Sequence, residues 1–553
     1  MSRYRLASLL ILNSGVALAA VACSEAADPG AGTGGTGMMS GGTGGASASG
    51  GTGGTTGGTG GTTGGAGGTT GGSVSSGGMP ATGGAGGAMS GSAGTGGSVG
   101  GAGGMPPGTG GTPMAGSGSG ATGGAAGSGA GAGGTGMTTS CTITPTATES
   151  EVIPTVFNVE FTTDFPMGYT ARIDFGPTTE YGYSAPVDTA EPMNKTPLLG
   201  MKPDTDYHYQ IVLSGGGMEC KGADQTIKTG LLENGLPAPM VMTPNAAGVA
   251  GGFLVGEWYA GKRYAFILDK DNTFVWWFNP ADVVSNFGDI TRVRMSADGK
   301  YMWIGHGNVP SQTGRMVRVK MDGTGGEDMS SKFPRLNHDF VGAPAAGGAG
   351  EDIYFVAYPQ SGNCDDVVHY SAAGQTTVIF SLNEVFSGAC HVNAIAYSPE
   401  DDTLVVSELD NNAYVKIKRN GDLVWVLGGG GDNDFTGDGS SWQAQHNLHM
   451  LAKDKILFFN NGTGSGSKAV ELQLDETAKT ATKTWEYSST IANAIMGDVQ
   501  RLWNENTLVT FSTQGVIHEV DKNKMLVQSL SWGAGAALGY VVKRETLYGP
   551  NPK

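Results

Sequence analysis

The chain holds eight histidines, and three of them, His338, His391 and His446, recur at intervals of about fifty residues. Each opens a similar stretch: His338-Asp339-Phe340-Val341, His391-Val392-Asn393-Ala394-Ile395, and His446-Asn447-Leu448-His449-Met450. The stretch from Asp289 to Met295 aligns with the one from His391 without a gap, and Asp498-Val499-Gln500-Arg501-Leu502 continues the series. One repeating position is thereby expected to hold Asp289, His338, His391, His446 and Asp498. A neutral imidazole is a nucleophile near pH 7, and a second, protonated imidazole can hydrogen-bond the oxygens of an anionic substrate or protonate the group that leaves. Three imidazoles at one level allow three readings: the polar lining of a wet channel, three nitrogen ligands for Zn²⁺ or a similar ion, or chemistry by imidazole itself. His449 lies three residues after His446, on the other side of a strand, and reads as packing. His306, His369 and His518 share no such phase and read as structural.

The elements that must bring the three together are read from repeats. From about Met240 to Thr546 the chain repeats with a period of about fifty residues, a propeller-blade length. Paired apolar runs recur at Ala265–Phe278, Arg315–Met329, Asp366–Leu382, Ala413–Leu427, Lys468–Tyr487 and Gly515–Trp532. Several turn at Asp271-Asn272, Asp322-Gly323 or Asn420-Gly421, which suit hairpins. A further strand-like run precedes each pair, such as Thr403–Val406 and Lys455–Phe459. Six copies predict a six-bladed β-propeller over 238–553, its inner strands lining a central channel. Residues 140–231 alternate with period two, as at Phe157, Val159 and Phe161, and predict a small β-sandwich. The run from Met201 to Tyr207 resembles the corner of a fibronectin type III module, with Tyr207 as its tyrosine. The expected fold class is all-β: a small β-sandwich, then the propeller. His208 beside that corner reads as an exposed strand residue.

The propeller region resembles the bacterial arylsulfotransferase family over about 300 residues. The resemblance rests on His338-Asp339-Phe340, on His391-Val392-Asn393 with Tyr397, Pro399 and Asp401-Asp402, on Trp425 to Gly428, on Gln445-His446, and on Gln500-Arg501-Leu502 with Asn506-Thr507-Leu508. It implies a nucleotide-independent transfer of a sulfuryl group from a small aryl sulfate donor to a phenolic acceptor. It also implies a sulfohistidine on His446, with His338 and His391 assisting and with no metal and no cofactor. Asn393 would donate a hydrogen bond to a sulfuryl oxygen. The family has Ser-Ser-Arg-His where this chain reads Ser407-Glu408-Leu409-Asp410, so Leu409 stands in the arginine's place. That loses a bidentate cation for the sulfuryl oxygens. Arg501 is the candidate to replace it. Without a replacement, the alternative is a non-catalytic ligand-binding or surface-interaction propeller.

The ends of the chain speak to location. Arg3 and Arg5 precede an apolar run from Leu6 to Ala22, of signal-peptide length. Ala20-Val21-Ala22-Cys23, closing the segment 1–23, resembles a bacterial lipobox and implies cleavage before Cys23, which becomes the lipidated N-terminus. Residues 24–139 are almost wholly Gly, Thr, Ala, Ser and Met, a composition that cannot bury a core and predicts a disordered flexible linker with a reach of ~60 Å. The expected location is the bacterial cell envelope, facing the periplasm or on the outer membrane, with the membrane reached only through the lipid. The other four cysteines, Cys141 and Cys220, and Cys364 and Cys390, suit two structural disulfides in an exported protein. The net charge of −17 argues against nucleic acid as a partner.

Overall fold

The computed structural model describes residues 137–549, apart from 139, 191–193, 260–262, 309–310, 430–433, 463–465 and 534. The export and lipidation segment, with Cys23, and the glycine-rich segment up to residue 136 lie outside the described residues.

The described residues form β-strands joined by turns and single 3₁₀ turns, with no α-helix among them. Two sheets come first. Ile143–Glu149, Phe157–Thr163 and Thr196–Leu198 make one. Thr170–Gly176, Tyr183–Val187, Asp206–Gly215, Met218–Lys221 and Gln225–Lys228 make most of the other. The alternation read from the sequence is the packing: Val159, Phe161, Ile173, Tyr209 and Ile211 fill one core. Tyr207 forms the corner, its hydroxyl accepting from Lys202 N at 2.9 Å. Cys141 and Cys220 form a disulfide.

Six antiparallel sheets follow, the blades of a six-bladed β-propeller. Blade 2 runs Arg292–Met295, Tyr301–Asn308, Thr313–Lys320 and Glu327–Asp328. Blade 3 runs Leu336–Pro344, Glu351–Ala357, Asp366–Tyr370 and Thr376–Ser381; blade 4 runs Val392–Ser398, Thr403–Glu408, Ala413–Lys418 and Leu423–Gly428. Blade 5 runs Gln445–Ala452, Lys455–Asn460, Lys468–Asp475 and Thr480–Ser488. Blade 6 runs Asp498–Arg501, Thr507–Phe511, Val516–Val520 and Leu526–Ser531. Blade 1 is composite. Its outer strands are Phe253–Glu257, Ala265–Leu268 and Phe274–Phe278, and its innermost strand is Val542–Arg544 from the far end of the chain. Met240–Met242 adds a fifth strand to the outer edge of blade 6. The chain thus fastens the ring twice.

Period two makes each strand serve two neighbours. Val405 and Tyr414 face blade 5 and pack with Leu448, Ile456 and Phe458, while Leu404, Val406 and Val415 face blade 3 and pack with Tyr354 and Val367. One apolar cluster fills each of the six gaps between blades, and a buried Val or Leu contributes about 1.5–3 kcal/mol.

At the axis the blades are tied by charge. Arg292 of blade 2 donates from Nε and Nη2 to Asp339 of blade 3, at 2.6 and 3.0 Å, and from Nη2 to Asn447 Oδ1 of blade 5 at 3.1 Å. Asp339 Oδ2 accepts from Ile395 N of blade 4 at 3.0 Å. Asn447 Nδ2 donates to Asp498 of blade 6, and Asp498 Oδ2 accepts from Val541 N beside blade 1 at 2.9 Å. The guanidinium of Arg292 lies 3.9 Å from the centroid of the Tyr540 ring. This plug touches all six blades and is fully buried. Burial would push the Asp339 carboxyl up, but Arg292 and Arg294 outweigh it and hold it below the usual range. Asp498, with the same burial and weaker pairing, is pushed up to about 6.

The sandwich meets blades 1 and 2 at the ends of the strands remote from the histidines. Thr155 Oγ1 donates to Val275 O at 2.7 Å and Asn158 Nδ2 to Asp322 Oδ2 at 3.0 Å. The Tyr548 hydroxyl accepts from Leu199 N at 2.7 Å and donates to Pro197 O at 3.0 Å. Lys202 pairs with Asp271 at 2.6 Å.

Candidate active site

His338, His391 and His446 sit at or just before the first residues of three consecutive inner strands, so the ring carries them to one mouth of the channel. His338 Nε2 and His391 Nε2 are 2.7 Å apart, with ring centroids at 4.6 Å and planes at 63°. At that distance one ring donates its N–H and the other accepts. Burial depresses the His391 ring to about 4; burial and the charges of His391 and His446 hold His338 well below the usual imidazole range.

His446 is only 2% exposed. Its Nδ1 lies 2.7 Å from Asn461 Oδ1, and its Nε2 is buried with no hydrogen-bond partner among the described residues. Burial lowers its pKa to about 4, against the Asn461 hydrogen bond, which favours the charged form. This corrects the expectation of a protonated assistant imidazole. Burial holds all three rings below the usual imidazole range, which leaves them neutral at pH 7. If neutral His446 is the nucleophile, activity is expected to hold down to about pH 5 and to fall as pH drops through about 4, the pH at which the lone pair takes a proton. A pH–rate profile of kcat/KM checks this; a limb at 6 to 7 would contradict it.

The three histidines meet, but not from one strand position: His446 pairs with Phe459 within its strand, His338 lies in the irregular start of its strand, and His391 stands one residue ahead of Val392, with Asn393 at the place that matches the other two; neither aspartate joins them. Asp289 stands three residues ahead of the blade 2 strand, partly exposed and paired with Arg263 at 3.1 Å. Asp498 repeats the geometry of Asp339: each carboxylate accepts from the next backbone N–H, Val499 or Phe340. Asp498 thus belongs to the plug, one residue deeper than a histidine. Gly497 precedes it at φ +119°, where any side chain would collide with the Phe459 ring.

Asn393 is fully buried beside the trio. Its Nδ2 donates to Gln445 O at 2.8 Å, which fixes the amide, and its Oδ1 has no partner among the described residues. Gln445 Nε2 donates to Glu408 O at 2.6 Å and to Ala413 O at 3.2 Å, holding the approach to His446. Arg501 is not brought to the histidines. Its guanidinium pairs with Glu471 at 2.9 Å and lies 5.0 Å from the Trp485 ring, between blades 5 and 6. Three residues beyond Asp498, the inner strand has already run past the mouth. His449 accepts from Arg501 N at 3.0 Å and is packing, as expected.

Glu408 is the carboxylate at the end of the second strand of blade 4. It accepts from His391 N at 2.8 Å, Asp410 N at 3.0 Å and Asn411 N at 2.7 Å, while Leu409 N donates to His391 O at 2.8 Å. Burial raises Glu408 to about 6. Asp365 accepts from Asn337 Nδ2 at 2.9 Å and from Val392 N at 2.8 Å, joining the His338 and His391 strands; burial raises it to about 7. Cys364 and Cys390, the residues before Asp365 and His391, form the second disulfide. Among the described residues no group of three or more His, Cys, Asp or Glu side chains is arranged to hold a metal ion.

Sequence reasoning missed Asn461 and Asp365. Asn461 stands in an Asn-Asn-Gly run that reads as a turn. Its signal was the hairpin register, since His446 pairs with Phe459 two residues earlier.

Residues 390–543 match the arylsulfotransferase (ASST) family. The matched arylsulfotransferase segment contains His391, Asn393 and His446, and His338 lies ahead of it. No curated protein matches the chain. Among solved structures, streptogramin B lyase is similar at 13% identity, over 52% of this chain and 86% of that one, with a TM-score of 0.34. The Dos1 propeller is similar at 10% identity, over 52% and 69%, with a TM-score of 0.30. The chain spans 58% of dihydro-heme d1 dehydrogenase NirN, at 13% identity over 52% of this chain and a TM-score of 0.30.

Proposed function

We propose that the chain transfers a sulfuryl group from an aryl sulfate to a phenolic acceptor through a covalent intermediate on His446. The observation that supports this most is the state of that ring: Nδ1–H held by Asn461 Oδ1, and Nε2 bare and without a partner beside a neutral histidine pair. The Nε2 lone pair attacks sulfur. The bond from sulfur to the aryl oxygen breaks with its electron pair on oxygen, and an N–H of the neutral His338–His391 pair donates a hydrogen bond to the phenolate, which departs as the anion. The sulfohistidine carries a positive ring, which the Asn461 carbonyl stabilises through Nδ1–H. In the second half, the acceptor hydroxyl gives its proton to a neutral imidazole of the pair, its oxygen attacks sulfur, the N–S bond returns its electrons to Nε2, and the pair passes the proton on to the departed phenolate or to water. His338→Ala and His391→Ala are each expected to slow formation of the intermediate by about a hundred- to ten-thousand-fold, as read in single-turnover kinetics. A change of less than threefold in both would remove them from the mechanism.

The sequence supports a place for this reaction outside the cytoplasm, with Cys23 carrying the lipid. Donor and acceptor are small aromatic molecules in this reading. A second reading, a ligand-binding propeller without turnover, is favoured by one observation: Glu408 and Leu409 occupy the stretch where the family carries its arginine, and Arg501 is committed to Glu471. Release of a coloured phenol from an aryl sulfate, with and without an added phenol, separates the two. Acceptor-dependent release supports transfer; binding of the aryl sulfate without release supports the second reading.

A further inference from the structure

We infer that Asn461 is the positioning residue that fixes the tautomer of His446 and so decides which nitrogen can react. This rests on the proposed transfer for its consequence and on hydrogen bonding for its substance. Asn461 directly follows Lys455–Asn460, the strand paired with the His446 strand. Its Nδ2 donates to two carbonyls, Asn493 O at 2.6 Å and Met496 O at 2.8 Å. Flipping the amide would set its oxygen against both carbonyls, so the orientation is fixed and Oδ1 faces His446. An oxygen acceptor at 2.7 Å from Nδ1 requires Nδ1 to carry the proton, which leaves the lone pair on Nε2.

The support is itself built. Asn493 donates from Nδ2 to Ile495 O at 3.0 Å and to Met496 O at 2.9 Å, and its Oδ1 accepts from Thr513 N at 2.9 Å and Thr513 Oγ1 at 2.7 Å. Ser467 Oγ accepts from Asn493 N at 3.0 Å and donates to Asn461 O at 3.1 Å. Asn461, Ser467 and Asn493 are all buried. Three buried polar residues, with Thr513 behind them, hold one carbonyl against one imidazole, more than packing alone asks, and they come from blades 5 and 6 and the segment between them. In the transfer step the same carbonyl meets the charge that develops on the ring when Nε2 bonds to sulfur. Without it, the Nε2–H tautomer would compete, and that tautomer has no lone pair aimed at the channel.

The test uses the full-length chain with nitrogen-15 histidine, and the His446 signals assigned by their loss in His446→Ala. At pH 7 the wild-type ring should show a protonated Nδ1 and a bare Nε2. Asn461→Leu should populate both tautomers and lower kcat by about ten- to a hundred-fold while KM for an aryl sulfate changes little. Asn461→Asp sets its second oxygen against Asn493 O and Met496 O and so should cost stability and some kcat, but a carboxylate beside Nδ1 should keep the wild-type tautomer and raise the pKa of His446 above about 4. A protonated Nε2 in the wild type overturns the inference, as does an unchanged spectrum in Asn461→Leu. If Asn461→Leu fails to fold, Asn461→Asp decides: an unchanged His446 pKa overturns it. If the chain turns over no aryl sulfate, the tautomer still decides this inference, and only the proposed transfer falls.

Discussion

His446→Ala is expected to abolish acceptor-dependent turnover of an aryl sulfate, leaving the blank rate of the assay. A lost proton donor slows a reaction, whereas a lost nucleophile removes the path, because no neighbouring side chain presents a second unpartnered lone pair in the same place. The fold is expected to survive. His446 takes only a small part in the blade 5 core, and the ring leaves Asn461 held by Asn493 O and Met496 O. Steady-state rates of the purified variant, with denaturation midpoints to check folding, decide this. Turnover within tenfold of the wild type would contradict it.

The second large effect is on stability. Asp339→Ala is expected to cost about 3–5 kcal/mol, because it leaves Arg292 charged, buried and without its bidentate partner. The loss reaches further than one pair. Asp339 also holds Ile395 N on the strand that follows His391, and Arg292 holds Asn447 next to His446. Loosening the plug frees the inner strands that set the three rings, so activity should fall with stability and not ahead of it. Exchanging the charged pair for apolar residues of similar volume should cost less than removing one partner. Denaturant unfolding of the full-length chain checks the magnitude; a loss under about 1 kcal/mol would mean that the charge is compensated elsewhere.

Much of the ring was legible before any coordinates. Apolar pairs such as Ala413–Leu427 and Lys468–Tyr487 fall on the third and fourth strands of blades 4 and 5, because alternation with period two and a hairpin turn are local properties. The meeting of His338, His391 and His446 was legible for the same reason, though not from one strand position: the starts of corresponding strands in repeated units come together when the units close. Closure itself was not. Val542–Arg544 pairs with Phe253–Val255, and Met240–Met242 with Ser529–Ser531; neither short strand carries a mark of a partner so far along the chain. The slip at Asp498 has a similar origin. Aspartate looks like a polar stand-in for histidine in an alignment, yet Gly497 takes the histidine's level and Asp498 drops into the plug. Arg501 was drawn toward the sulfuryl oxygens by its charge, and only the lie of its strand shows it spent on Glu471. The low basicity of the histidines was invisible because burial belongs to the assembled ring.

The most direct measurement is the mass of the full-length chain quenched after brief mixing with an aryl sulfate and no acceptor, followed by peptide mapping under conditions that spare N–S bonds. The account predicts the added mass of one sulfuryl group, confined to the peptide that contains His446, absent in His446→Ala and discharged when a phenol is added. An adduct on any other residue, or rapid turnover with no adduct at His446, would contradict it.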